Sequence, residues 1–303
     1  MLRECKTQSE EREYMLKEKS NIQESFLKNK HELRPRNLVK LLFINLQGFE
    51  TEFAQIESLN IINRSSFLEK KIGYLTLSLF IHEKSEMLMM ATNRLGMDLD
   101  CPHLFIKALA LNCFASIADQ DMCRSLSPKI VKLASGEFPR PKTKSQFISR
   151  AFSIGRTTQT QEDFTRASSN EDLRVLNVKK KALLAAKRVC EKCPDLIQDY
   201  YSAIDMAIKE KEHGVLLSAL PLVEIICVDA IKNSNDKKKS KDFLFRIMKS
   251  LTSTAFNLIK NTNAEYEINK INDPFLIIEI FSIIKNIVTV ILNDRRTLNK
   301  QGK

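Results

Sequence analysis

The segment SFLEKKIGYLTLSLFIHE, residues 66–83, joins a polar start to three turns of mostly apolar residues. Four later segments follow the same plan: CPHLFIKALALNCFASIAD (101–119), LNVKKKALLAAKRVCEKC (176–193), HGVLLSALPLVEIICVDA (213–230) and DPFLIIEIFSIIKNIVTV (273–290). Each carries lysine or another polar residue near its sixth position. Helices that are apolar nearly all round are covered on more than one side. The five segments therefore predict a layer of inner helices that are covered on both sides.

Weaker helical patterns lie between these segments, over 52–63, 83–94, 122–133 and 197–211, and a charged helix is predicted over 3–28. The first and second inner segments begin about 35 residues apart, as do the third and fourth, and a period of about 35 to 40 residues is typical of HEAT and armadillo repeats. Glycine (7) and proline (8) are scarce among 303 residues, which also favours helices. The predicted fold is all-α, a right-handed α-solenoid of HEAT/armadillo-like helix pairs.

The second and third inner segments begin about twice as far apart as the first and second, and residues 135–173 lie in that interval. This stretch is rich in Ser, Thr, Arg and Gln and has no sustained apolar periodicity. We therefore expect a disordered insertion at 135–173 within one solenoid domain, which runs over 1–134 and continues over 174–303. A second polar break, NSNDKKKSKD, is predicted at 233–242.

The net charge of +11 suits an anionic partner, either nucleic acid or an acidic membrane surface, although many lysine-rich helix faces are merely solvated. Seven scattered cysteines without a secretion signal indicate a reducing compartment and small core residues. The longest apolar stretches carry Glu224 and Asp229, or Glu279 and Lys285. On that ground we predict no membrane-spanning helix.

Motifs for catalysis or metal binding are incomplete. His82 and Glu83 begin like a zinc-protease helix, but Glu86 stands where the second histidine would be. Cys190 and Cys193 form a CxxC that no second CxxC completes. There is no glycine-rich phosphate loop and no G-x-S-x-G. The sequence predicts a protein that is not an enzyme and has no metal or cofactor.

A basic cluster precedes the apolar run at 41–44: Arg34, Arg36 and Lys40. The helix dipole disfavours cations at a helix start. Free backbone amides together with basic side chains, however, make an anion site. The cluster therefore predicts a phosphate-binding site; the alternative is three solvated cations, with Lys40 extending from the core.

Several long stretches resemble the trunk of a clathrin-adaptor large chain, the adaptin family. They are KLLFINLQGFETEFAQIESLNII (40–62), EKKIGYLTLSLFIHE (69–83) and KKKALLAAKRVCEKCPDL (179–196). Similarity to the gamma-adaptin branch is carried by TQSEEREYMLKE (7–18), RPRNLVKLLF (34–43), DMCRSLSPKIVKL (121–133) and INDPFLIIEIF (271–281). The resemblance covers about 1–134 and 173–292 and does not extend to the hinge and ear of that family.

The resemblance implies a non-catalytic subunit of a clathrin-associated adaptor complex with small, medium and beta-type large chains. Such a complex sorts membrane cargo into coated vesicles. The implied location is cytoplasmic, peripheral on trans-Golgi network, endosome and coated-vesicle membranes. By the same resemblance, Arg34, Arg36 and Lys40 would bind a phosphoinositide, expected to be phosphatidylinositol 4-phosphate.

The resemblance also implies two further sites. Ile56, Leu59 and Met90 would contact a GTP-loaded Arf-family GTPase, although any one apolar residue is more often solenoid core. Arg3 and Lys6 would hold the acidic residue of dileucine cargo tails, since a guanidinium suits a carboxylate. The alternative for Arg3 is a solvated residue near a frayed terminus.

A different class of function, a basic helical-repeat nucleic-acid-binding protein, also fits the charge of +11. Repeat proteins that bind one base per repeat need polar or aromatic side chains recurring on one face. No such recurrence is found, and the five inner segments begin with different residue types. The sequence therefore favours the adaptor over nucleic-acid binding.

Overall fold

The computed structural model describes residues 5–28, 31–82, 85–138, 161–232, 237–260, 267–268 and 271–301. Its α-helices are α1 Gln8–Leu27, α2 Arg34–Leu46, α3 Ala54–Ile62, α4 Phe67–Phe80, α5 Leu88–Asp100, α6 Leu104–Ile117, α7 Gln120–Ala134, α8 Gln161–Lys192, α9 Tyr201–Ala207, α10 His213–Lys232, α11 Lys237–Lys260 and α12 Pro274–Gln301. Short 3-10 helices, His31–Leu33 and Pro194–Tyr200, precede α2 and α9. Two strands, β1 Glu267–Ile268 and β2 Ile271–Asn272, pair antiparallel. The predicted all-α fold of helix pairs is confirmed, with this two-residue pairing as a local exception.

The five apolar segments all form helices: α4, α6, α8, α10 and α12. Two differences from the sequence prediction concern polar stretches. Residues 161–173 belong to the start of α8, because this stretch has no glycine or proline to interrupt a helix that packs further along. Helix α11 begins at Lys237, inside the predicted break. Of the predicted insertion, residues 139–160 lie outside the described part of the chain.

The described chain divides into two compact units, residues 1–122 and 123–303. The division falls in the first turn of α7 rather than at the predicted insertion. In the first unit α4 contacts both α2 and α6, while α3 and α5 contact each other and the α2–α4–α6 row. In the second unit α10 contacts both α8 and α12. Each unit therefore contains a row of apolar helices, as the sequence predicts.

The glycine of the IGYL motif allows α3 and α4 to approach closely. A Cβ at Gly73 would lie 2.6 Å from Ile62 Cγ1 and 3.2 Å from the Ser58 carbonyl oxygen. Ser58 is fully buried, so its backbone has no room to move away. Any larger side chain at position 73 would push the two helices apart.

The lysines near the sixth position of the first two inner segments have a structural role. Lys70 Nζ donates a hydrogen bond to the Ile62 carbonyl at 2.9 Å, and Lys107 Nζ donates to the Leu99 carbonyl at 2.5 Å. Both side chains are buried, and each reaches the C-terminal end of the preceding helix. A cation is favourable there because the last carbonyls lack helical partners and carry the negative end of the dipole. These lysines therefore fix the turn between paired helices.

The buried cysteines fit the predicted core role. Cys113, Cys123, Cys190, Cys193 and Cys227 are free thiols within the core. Burial raises the pKa of the thiols of Cys113, Cys190 and Cys227 to about 12. Such thiols stay protonated and unreactive near neutral pH.

Two helices are more apolar than the sequence argument allowed. Within the described residues, His213–Lys232 and Pro274–Asn293 are long and apolar enough to cross a membrane, by length and composition alone. Two charged residues do not lower the mean hydropathy of such a stretch enough to exclude a membrane span. The use of those charged residues to predict no membrane-spanning helix was therefore wrong. Half of the His213–Lys232 window is buried inside the protein, as in the core helix of a soluble protein.

Candidate interaction surfaces

The first residue of α2, Arg34, is held inside the first unit. Its Nη1 donates to Glu57 Oε2 on α3 at 2.8 Å, and only 10% of the Arg34 side chain is exposed. A buried charge needs such a partner. The expectation that Arg34 faces a phosphate is therefore not met, because the guanidinium joins the start of α2 to α3.

The other two predicted cations differ in accessibility. Lys40 is 41% exposed, and its Nζ contacts Glu18 Oε1 on α1 at 2.5 Å. Arg36 is exposed and forms no salt bridge with any described residue. The cap residue Leu33 makes no side-chain hydrogen bond to the start of α2. The three residues thus do not form one open cluster, and Arg36 is the cation most available at this helix end.

The residues predicted to contact the GTPase are also divided by burial. Ile56 and Met90 are 54% and 59% exposed, whereas Leu59 is 6% exposed and belongs to the core. Ile56 and Leu59, expected on one helix face, therefore differ in accessibility, because the packing of α3 against its neighbours buries Leu59. Helices α3 and α5 are in contact. A hydrogen bond from Ser85 Oγ to Gln55 Oε1, at 3.2 Å, links the segments that precede Met90 and Ile56.

Exposed methionines extend this surface beyond the predicted residues. On α5, Met89 and Met97 are 78% and 66% exposed. Methionine adapts its shape readily and is common on binding surfaces. The sequence argument missed these two residues because their spacing also fits a buried helix face.

Of the predicted cargo residues, Arg3 lies outside the described part of the chain. Lys6 is exposed, and its backbone amide donates to Glu10 Oε2 at 2.9 Å. It stands just before Thr7, whose hydroxyl caps α1 by accepting from the Glu10 amide. The structure thus leaves the Lys6 ammonium accessible beside a capped helix start.

Helices α2, α4 and α6 carry an apolar face that the sequence argument did not predict. Arg34 of α2, Gly73 of α4 and Lys107 of α6 face the α3–α5 layer. The opposite sides of the same helices expose large apolar side chains by 44–65%: Val39, Phe43, Leu68, Leu75, Leu79 and Phe105. We call these six residues the inner apolar face. The expectation that the inner helices are covered on both sides is not met for α4 and α6 in the described residues.

Arg36 belongs to the edge of that face. It precedes Val39 and Phe43 by about one and two helical turns, so the three side chains lie on one side of α2. Helices α2 and α6 both contact α4, so the three helices present these apolar residues side by side. An exposed apolar area with a cationic edge suits a protein partner.

The sequence of these helices is similar to known proteins. The family described as "Adaptin N terminal region" matches residues 11–159. "AP-1 complex subunit gamma" of Dictyostelium discoideum is 33% identical over 284 residues, which are 94% of this chain and 27% of that protein. The chain belongs to the adaptin family. The predicted resemblance to the N-terminal region of a gamma-adaptin-like large chain is thereby confirmed.

Two more relatives of this adaptin are similar over the same extent. "AP-1 complex subunit gamma-1" of Arabidopsis thaliana is 30% identical over 287 residues, 94% of this chain and 28% of that protein. "AP-1 complex subunit gamma-like 2" of Homo sapiens is 26% identical over 284 residues, 94% of this chain and 30% of that protein. The adaptin chain therefore spans less than a third of the length of these relatives.

Proposed function

We propose that this adaptin is a non-catalytic subunit of a clathrin-associated adaptor complex that sorts membrane cargo into coated vesicles at the trans-Golgi network and endosomes. The observation that carries the proposal is the inner apolar face of α2, α4 and α6. The similarity to proteins named as AP-1 complex subunits supports it, because a complex subunit must present surface to other chains. The protein would act in the cytoplasm, peripheral to those membranes.

The occupant of the inner apolar face is the small adaptor chain in this proposal, with the medium and beta-type large chains completing the complex. Large aliphatic and aromatic side chains dominate the face, and they are 44–65% exposed. Fully burying such a side chain contributes roughly 1.5–3 kcal/mol, so covering the exposed half contributes about half of that for each residue, before the cost of association is subtracted. This face can therefore supply most of the driving force for a stable pair.

The test is co-expression of the adaptin with a tagged small chain and no other subunit. We expect the two to co-purify through size exclusion as one species. A small chain that elutes alone, while the adaptin remains folded and soluble, would contradict the proposal.

A second surface, formed by Ile56 and Met90, would bind the GTP-loaded Arf-family GTPase. We expect the double substitution Ile56→Asp/Met90→Asp to weaken binding by more than about tenfold, because each change places a charge in an apolar contact. Both side chains are more than half exposed, so helix content should be retained. The measurement is binding to immobilised Arf loaded with GTP analogue, with GDP-loaded Arf as the reference. Wild-type affinity in the folded double variant would remove these residues from the contact.

The phosphoinositide site is proposed to depend mainly on Arg36, with Lys40 as a second contributor. Each cation near an anionic leaflet contributes roughly 1 kcal/mol, so Arg36→Ala should cost about fivefold in membrane affinity. Arg34→Ala should instead destabilise the fold, because Glu57 would keep a nearly buried charge without this partner. Co-sedimentation with phosphatidylcholine vesicles, with and without phosphatidylinositol 4-phosphate, measures the first effect. If Arg34→Ala stays as stable as wild type and loses more lipid binding than Arg36→Ala, this assignment is wrong.

Cargo tails with an acidic dileucine signal remain assigned to Arg3 and Lys6 in this proposal. What supports the assignment is the exposure of Lys6 beside the start of α1 and the match of a cation to the acidic residue of the signal.

A further inference from the structure

A basic groove lies in the second unit and is lined by residues other than those discussed above. It has a volume of about 690 Å³ and runs between the α9–α10 connection and α11. Four cationic residues line it: Lys209 and Lys211 from the connection, and Arg246 and Lys249 from α11. The groove therefore concentrates positive charge from two separate elements at one place.

The charge of the groove is only partly compensated by the protein itself. Lys209, Lys211 and Lys249 form no salt bridge within the described residues, and all three are exposed. Arg246 contacts Asp205 at 3.3 Å, with 65% of the arginine side chain still exposed. Three lysines thus remain to attract an anion.

The acidic residue that lines the groove does not cancel this surplus. Glu210 forms a salt bridge with Lys179, a buried lysine of α8. The neighbouring Glu212 likewise pairs with Lys180, at 3.2 Å. His213, also in the lining, contacts Asp273 Oδ2 at 2.9 Å. The nearby carboxylates each have a basic partner of their own, so the exposed lysines keep their charge.

The wall contributed by α11 adds neutral hydrogen-bond donors. Ser250, Ser253 and Asn257 line the groove at intervals of about one helical turn. Hydroxyl and amide groups next to ammonium groups are a good set of donors for the oxygens of a phosphate. The chemistry of the groove therefore favours a phosphorylated ligand over a plain carboxylate.

An exposed apolar strip lies beside the groove on the same helix. Phe245, Phe256 and Ile259 are 72%, 62% and 63% exposed. At about 100° per residue these positions share one side of α11, and Lys249 lies on that side as well as in the groove. Aromatic and aliphatic side chains next to lysines are typical of helices that lie at a membrane surface. This arrangement favours a lipid headgroup over a soluble phosphate as the ligand.

We propose that this groove binds the phosphorylated headgroup of a membrane lipid while Phe245, Phe256 and Ile259 enter the headgroup region of the bilayer. This second membrane contact is separate from the one at Arg36 and does not depend on the adaptor assignment. It would hold the second unit against the membrane.

The test compares two triple variants with equal changes in net charge. Lys209→Ala/Lys211→Ala/Lys249→Ala removes the groove lysines, and Lys132→Ala/Lys232→Ala/Lys285→Ala removes exposed lysines of the same unit outside the groove. The probe is a phosphatidylcholine vesicle containing phosphatidylinositol 4-phosphate. We expect about a hundredfold loss of affinity for the groove variant, since each cation contributes roughly fivefold, and a small loss for the control. Equal losses in the two variants would overturn the proposal.

A third variant separates the membrane from a soluble ligand. Phe245→Ser/Phe256→Ser should lower vesicle affinity at least tenfold and leave binding of inositol 1,4-bisphosphate unchanged. If the groove lysines are needed for the soluble phosphate but the phenylalanines have no effect on vesicles, the groove binds a soluble anion, and the membrane assignment is wrong. Tighter binding of a phosphoserine peptide than of vesicles would likewise replace the lipid by a phosphopeptide. The vesicle affinity of Arg36→Ala, measured in parallel, shows how much the contact at Arg36 contributes by itself.

Discussion

Asp98→Ala is expected to lower the free energy of unfolding by about 3–5 kcal/mol, because it leaves the buried ammonium group of Lys70 without its counter-ion. Asp98 lies on α5 with 5% of its side chain exposed. Its carboxylate accepts from Lys70 Nζ at 2.8 Å, from Tyr74 Oη at 2.6 Å and from Arg94 Nη2 at 2.9 Å. Burial, and then the hydrogen bond to Asp98, raise the pKa of Tyr74 well above its usual value. One carboxylate therefore organises α4 and α5 from within the first unit.

The matched control is Asp195→Ala in the second unit. Asp195 also forms a salt bridge, with Arg124 at 2.6 Å, but both side chains are more than half exposed. Exposed pairs contribute about 0–1 kcal/mol, so this variant should unfold close to the wild-type midpoint. Thermal and urea unfolding followed by circular dichroism make the comparison. Equal destabilisation by the two substitutions would mean that the Asp98 network does not hold α4 and α5 together.

The helix order was predictable because apolar periodicity directly reflects burial. The lysine near the sixth position of the inner segments was visible too, but its partner was not. Lys70 and Lys107 each reach a carbonyl eight residues earlier, across a turn. That contact depends on how two helices cross, which periodicity does not specify.

The candidate sites were less predictable, for a related reason. Periodicity groups Ile56 with Leu59, yet only the packing of α3 against its neighbouring helices decides that Leu59 is covered and Ile56 is not. In the same way, the charge of Arg34 is visible in the sequence, but its partner Glu57 is 23 residues away. Local patterns give the kind of surface, and long-range contacts decide which residues remain accessible.

The inner apolar face is a second feature that sequence periodicity did not predict. A helix that is apolar all round is expected to be buried on both sides. The sequence does not say whether the element that buries the second side belongs to the same chain. On α4 the Gly73 side packs on α3, while Leu75 and Leu79 are 51% and 44% exposed. In our account, the partner subunit buries this second side.

Phe43→Asp/Leu75→Asp is therefore expected to weaken binding of the small adaptor chain by more than about a hundredfold. Each substitution removes an apolar contact of about half the roughly 1.5–3 kcal/mol of full burial and also places a carboxylate where water is excluded, which costs more. Phe43 and Leu75 are 45% and 51% exposed in the chain alone, so the variant should fold. They lie on α2 and α4, which contact each other, so the double variant changes the face on two adjacent helices.

The most direct measurement is titration of the purified small chain into the wild-type adaptin, the Phe43→Asp/Leu75→Asp variant and a control. The control, Leu16→Asp/Leu27→Asp, changes exposed residues of α1, which are 47% and 80% exposed and lie outside the inner apolar face. We predict that the control binds like wild type and that the inner-face variant shows no measurable heat of binding while keeping its helix content. Wild-type affinity in the folded inner-face variant would contradict the assignment of this face as the subunit interface.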